Sequence, residues 1–167
     1  MTFITVASHD TASAVLGTPG QGERWGYISS GTWSLLGIET KIANVSRNAF
    51  SENYTNEWGA HNTVRFLKNI MGMWLIQEVA RMQEYEYSYA ELAELAAKEK
   101  PLQQVMEIND PRFLNPPNMI EEIQQYCFET EQPVPVSSGA IARCVYDNLA
   151  LCYAQELIKV EHLTGTK

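Results

Sequence analysis

The chain has 167 residues, 45% of them hydrophobic, enough for a sizeable core in one domain-sized body. Its formal charge of −8 and pI near 4.9 exclude broad electrostatic attraction to nucleic acid or to an anionic membrane surface, and leave a small molecule or a protein as the expected partner. No apolar run approaches the roughly 20 residues of a membrane span, and the N-terminus has no basic region followed by an apolar segment, so the cytoplasm is the expected location.

In chain order, "TFITVA" (residues 2 to 7) is rich in branched and aromatic side chains and reads as a buried strand. Asp10 opens a short helix, "DTASAVLG", as its N-cap, because an aspartate side chain accepts orphan amide hydrogens of the first turn. A carboxylate at a strand-to-helix junction also sits where open α/β sheets take their ligands, so local pattern leaves both a capping and a chemical role for Asp10. A turn-rich linker, "GTPGQGER", follows at residues 17 to 24.

Residues 25 to 40, "WGYISSGTWSLLGIET", then read as two strands, about 25 to 30 and 33 to 39, joined by the small polar turn "SSGT". Gly31 permits close backbone approach and Thr32 offers a hydroxyl and an amide, so this is either an ordinary hairpin turn or a phosphate cradle. There is no P-loop or dinucleotide fingerprint, and any nucleotide site is of another kind. "ENYTNEW" and "TVRFL" supply a third and a fourth strand. From Asn69 the spacing of Ile70, Met71, Trp74 and Leu75 predicts a helix, on which Asn69 and Gln77 would lie roughly 80° apart. On that helix the two are a cap and a solvated side chain, or they border one cleft with Gly72 between them.

Beyond this point the pattern is helical. Ser88 and Glu91 have capping-box spacing before "YAELAELAAKEK", which Pro101 ends. "NDPRFLNPPN" is an extended loop, "MIEEIQQYCFE" a helix, and "QPVPVSSG" a loop before a last long helix from near Ser138, with Ile141, Val145, Leu149 and Cys152 on one apolar face. Cys127, Cys144 and Cys152 lack metal-binding spacing and read as buried thiols, a Cys127–Cys144 bridge being the less favoured alternative. His9, His61 and His162 form no metal pattern, and Ser29, Ser30 and Ser34 no nucleophile elbow. A short opening strand needs partners, and the order of elements suggests a chain cut at both ends, with strand edges that invite self-association.

"VASHDTASAV", "YISSGTWSLLG", "TNEWGA", "RFLKNIMGMWLIQ" and "DPRFLNP", in this order and spacing, resemble the FGGY family of carbohydrate kinases within the actin-like ATPase superfamily. "HDTASA" and "SSGTWS" recur across that family, whereas "TNE" with "LKNIMG.W" points to its branch acting on L-rhamnulose. The resemblance covers essentially the whole chain. It implies a partial ribonuclease H-like α/β fold, with residues 1–24 ending one sugar-kinase domain and 25–167 beginning the second. The family's phosphate hairpin would precede these residues and its glycine-rich adenosine segment would follow them, so the resemblance implies an internal fragment, inactive by itself.

Residue by residue, the resemblance makes Asp10 the general base that accepts the proton of the attacking sugar hydroxyl. It makes Gly31 and Thr32 an ATP-phosphate turn, Gln77 a nucleotide contact, and Asn69 and His9 part of the sugar pocket. ATP with Mg²⁺ is the implied phosphoryl donor, with metal ligands lying partly outside this sequence. L-rhamnulose is the implied acceptor, and fuculose, xylulose or a non-catalytic binding unit are the alternatives. One departure is visible: Trp58 stands where the family has glycine in "TNEGG", which bears on the sugar preference.

Overall fold

A computed structural model describes residues 9–20, 22 and 25–166. The strand expected at residues 2 to 7 lies outside the described residues. The chain divides into two compact units: residues 1–30, 34–69 and 155–167 form the first, and residues 31–33 and 70–154 the second.

The first unit is built on a four-stranded sheet. Its strands are β1 (Gly26–Ser30), β2 (Trp33–Thr40), β3 (Thr55–Trp58) and β4 (Val64–Met71), in the order β1-β2-β4-β3. β1 and β2 form the expected antiparallel hairpin, in register from Gly26 opposite Ile38 to Ser30 opposite Ser34. β3 and β4 pair antiparallel from Thr55 opposite Leu67 to Trp58 opposite Val64. β1 and β3 are therefore the edges of the sheet among the described residues.

Burial alternates along β1, whereas the central strands β2 and β4 each bury runs of consecutive residues, so both faces are covered there. Leu36, Ile38, Phe66 and Leu67 are enclosed, and Tyr54 stacks on Phe66 with ring centroids 4.9 Å apart. Gly37 is required by packing: a Cβ there would meet the Phe66 carbonyl oxygen and lie 2.6 Å from Leu67 Cβ. The last turns of the long helix α6 (Ser138–Thr164) reach this unit through a buried ionic network. Glu156 accepts from Tyr54 Oη at 2.9 Å, Lys68 Nζ at 2.9 Å and Lys159 Nζ at 3.1 Å. Burial pushes the Glu156 carboxyl up, but these three donors outweigh it and hold the group below its ordinary range.

Helix α1 (Asp10–Gly17) packs Ala12 and Val15 inward. Its cap differs from expectation. His9, with extended backbone, occupies the N-cap, and Asp10 is the first residue already in helical conformation. From that position the Asp10 carboxylate accepts the Thr11 N–H at 2.6 Å, the same amide that the capping His9 side chain faces. A short helix not anticipated from sequence, α2 (Arg47–Ser51), is capped by the Ser46 hydroxyl, which accepts the Ala49 N–H.

The second unit is helical: α3 (Trp74–Met82), α4 (Tyr89–Ala97), a 3₁₀ turn at Pro111–Phe113, α5 (Met119–Glu129) and α6 up to Ala154. The capping box forms as read, with Ser88 and Glu91 each bonding the other's backbone N–H. Helix α4 ends at Ala97, before Pro101 is reached. In the loop from Asn109, Asp110 caps the 3₁₀ turn that residues 109–118 were not expected to contain.

One larger correction concerns Asn69. It lies on β4, which continues through Met71, and the helix starts only at Trp74. Asn69 therefore caps nothing, and the 80° helical separation from Gln77 does not apply. Ile70 and Met71 are both buried, so a strand end and a helix start merge into one apolar run that periodicity cannot divide.

Ile141, Val145 and Leu149 form the buried face of α6, with Cys152 half-buried. Cys127, Cys144 and Cys152 are thiols and form no disulfide with one another. The neighbouring Cys127 thiol and burial push the Cys144 thiol up, and its Sγ lies 3.7 Å from Met106 Sδ. Among the described residues no helix is long and apolar enough to cross a membrane.

Candidate active site

The turn between β1 and β2 belongs to the second unit, together with the start of α3. Its geometry follows from a helix that lacks a side-chain cap. Met73 occupies the N-cap of α3 and supplies no acceptor, leaving the first amides to find one elsewhere. The turn provides it. Gly31 O accepts the Met73 N–H at 2.9 Å, and Thr32 O accepts those of Gly72 at 3.2 Å and Trp74 at 3.0 Å. The helix is thus capped by two main-chain carbonyls some forty residues upstream, and the turn is fixed by the same bonds.

That arrangement places Thr32 against Gln77. The Thr32 hydroxyl donates to Gln77 Oε1 at 3.2 Å, across 45 residues of sequence, in an exposed position. The amides of Gly72, Met73 and Trp74 are already engaged, so an anion reaching this turn meets the Thr32 hydroxyl and the Gln77 amide. A hydroxyl carries one proton, and here Gln77 holds it. Turned by 180°, the Gln77 amide would donate from Nε2 to Thr32 Oγ and release the hydroxyl proton toward an incoming oxygen.

His9 and Asp10 lie in the first unit at the start of α1. The Asp10 side chain is 94% exposed. His9 Nδ1 is 3.1 Å from Asp10 Oδ1, and 3.3 Å from the Thr11 nitrogen. Nδ1 cannot donate to the carboxylate and accept from the amide at once. The Thr11 N–H is shared between Asp10 Oδ1, at 2.6 Å, and the capping His9 Nδ1, at 3.3 Å. Asn69 is exposed on β4 of the first unit.

The structure therefore brings Gly31, Thr32 and Gln77 together, and His9 with Asp10. Residues that hold the turn escaped the sequence reading. The Gly72 to Trp74 amides carry no side-chain signal, and Asn109, which accepts the Met71 N–H at 2.9 Å, stands 38 residues away. Its only trace in the sequence is its place beside the "DPRFLNP" element.

Mg²⁺ bound with a nucleotide takes carboxylate, phosphate and water oxygens as ligands. Among the described residues no group of three His, Cys, Asp or Glu side chains is arranged to hold a metal ion by itself.

A hairpin turn locked to a helix N-terminus, with a hydroxyl and an amide presented outward, suits phosphate contact, and comparison with known proteins gives it a family. Residues 26–167 match the FGGY family of carbohydrate kinases, C-terminal domain. The chain belongs to this family, and its fold is that of the actin-like ATPases in part. It is 71% identical over 164 residues to a rhamnulokinase of Enterococcus faecalis, covering 98% of this chain and 33% of that protein. It is 55% identical over 162 residues to a rhamnulokinase of Lactiplantibacillus plantarum, and 54% over 161 residues to one of Bacillus subtilis, each match again covering 33% of the relative. The chain spans about a third of the length of these curated relatives.

Proposed function

We propose that this chain is a segment of an ATP-dependent kinase that converts L-rhamnulose to L-rhamnulose 1-phosphate. On this reading residues 1–24 end one kinase domain and residues 25–167 begin the next. Asp10 accepts the proton of the sugar hydroxyl as that oxygen forms its bond to the γ-phosphorus of ATP. The bond from that phosphorus to the β,γ-bridging oxygen breaks, and ADP leaves. His9 and Asn69 contact the sugar, and Gly31, Thr32 and Gln77 contact the nucleotide. ATP is used as its Mg²⁺ complex, and the reaction takes place in the cytoplasm, where ATP is held. Self-association through the edges of β1 and β3 belongs to the same reading.

The observation that carries the proposal is the meeting of Thr32 and Gln77, 45 residues apart, on a turn whose carbonyls cap α3. The test is sugar-dependent ADP release by the full-length kinase carrying this chain, with L-rhamnulose, fuculose and xylulose as acceptors. Turnover with L-rhamnulose that falls at least about a thousandfold in Asp10→Asn, with ATP affinity retained, is the expected result. Turnover unchanged by Asp10→Asn would remove the base from the mechanism, and faster turnover with another sugar would reassign the substrate.

A further inference from the structure

Two hydrogen bonds anchor the chain on either side of the amides that hold the Gly31–Thr32 turn. Asn109 Oδ1 accepts the Met71 N–H at 2.9 Å, and the Trp74 indole N–H donates to the Phe113 carbonyl oxygen at 3.1 Å. Met71 precedes the first of the three turn-binding amides, and Trp74 supplies the last. Both anchors come from residues 109–113.

That segment is itself rigidly held. Asp110 Oδ1 accepts the Arg112 N–H at 3.0 Å, and the Phe113 N–H donates to the Asp110 carbonyl at 3.0 Å. The Phe113 side chain is fully enclosed and sits 5.7 Å, centroid to centroid, from the Tyr126 ring. The orientation of the Asn109 amide is fixed as well, since Met71 N–H can only donate and therefore selects the oxygen. The nitrogen is left 3.6 Å from Cys152 Sγ. Met71 is 5% exposed, so water cannot readily replace Asn109 as its acceptor.

We propose that Asn109 is a positioning residue for nucleotide binding. By fixing the end of β4, it keeps the Gly72, Met73 and Trp74 amides on the Gly31 and Thr32 carbonyls, and so keeps the Thr32 hydroxyl within reach of Gln77. Asn109 itself touches no nucleotide. The inference rests on reading the Gly31–Thr32 turn as a contact for ATP phosphates. Its distinguishing consequence is a loss confined to ATP, with the sugar untouched.

The experiment compares Asn109→Ala with Asn109→Asp in the full-length kinase carrying this chain. Aspartate retains an acceptor for Met71 and gives up only the weak contact to sulfur; alanine removes the acceptor. KM for ATP should rise about fivefold to tenfold in Asn109→Ala, KM for L-rhamnulose should be unchanged, and Asn109→Asp should stay within about twofold of the parent. Amide hydrogen exchange, followed without nucleotide, should quicken at Gly72, Met73 and Trp74 in Asn109→Ala but not in α5. Should Asn109→Ala not fold, Trp74→Phe, which deletes the bond to Phe113 and keeps an aromatic ring, should shift ATP KM and exchange in the same direction.

An unchanged ATP KM in the face of faster exchange would overturn the proposal. So would equal losses for both substrates, or failure of Asn109→Asp to restore ATP binding. A parent enzyme with no ATP turnover would overturn the kinase reading and the nucleotide half of this one, and exchange at the three amides would still decide the positioning half.

Discussion

Thr32→Val removes a hydroxyl while keeping the branched shape of the side chain, and its two expected effects differ widely in size. In the unbound protein the hydroxyl donates to Gln77 Oε1 at 3.2 Å in an exposed position, where water can replace either partner. Its loss should cost about 0.5 kcal/mol or less, and lower the thermal midpoint by less than about 2 °C. On the proposed reading, the same hydroxyl faces a charged phosphate oxygen in the ATP complex. A hydrogen bond to a charged group contributes about 1.5–3 kcal/mol, so KM for ATP should rise between about 10-fold and about 150-fold.

Gln77 refines the prediction. Gln77→Glu leaves only acceptors beside Thr32, pins the hydroxyl proton away from the nucleotide and adds a negative charge near the phosphates. It should weaken ATP binding more than Gln77→Leu does. In a cycle with Thr32→Val the losses should not add, because the two side chains act through one shared proton. The assay is initial rate against ATP concentration at saturating sugar, with a thermal melt of each variant as the control for folding. ATP KM within twofold of the parent in Thr32→Val, or Gln77→Glu indistinguishable from the parent, would refute the assignment of this turn to the phosphates.

Two further variants test the first unit. Glu156→Gln leaves Lys68, 13% exposed, without its carboxylate, and should destabilise the protein by about 3 kcal/mol at neutral pH in denaturant melts. The folded Glu156 carboxyl lies below its ordinary value of 4.5, so its contribution is full above that value and is lost as pH falls through the lower folded value. The gap between parent and variant should therefore narrow in acid, and a gap of constant size down to pH 3 would contradict this account. Gly37→Ala drives a methyl group into the Phe66 carbonyl and to 2.8 Å from Leu67 Cα, backbone atoms that cannot swing aside. Forcing β2 from β4 should cost about 3 kcal/mol and lower the melting point by about 6–12 °C.

What could be read from the sequence was what is settled within a few residues. The capping box at Ser88 and Glu91, the "SSGT" hairpin, and the start of the last helix at Ser138 depend on neighbours three or four positions away, and all three occur as expected. The family was legible for a related reason: short elements such as "HDTASA" and "SSGTWS" keep their order and spacing whatever the packing around them.

Long-range contacts were not legible. Whether β4 ends at Asn69 or Met71 depends on strand pairing and burial, and Ile70 and Met71 fit a helical face as well as a buried strand end. At α1, whether His9 or Asp10 becomes the cap depends on which residue keeps extended backbone, and the amino-acid types alone allow either. Sequence determined that Thr32 and Gln77 were candidates. Only tertiary structure decided that they share one proton, because their meeting requires the Gly31 and Thr32 carbonyls to take amides that α3 cannot satisfy by itself.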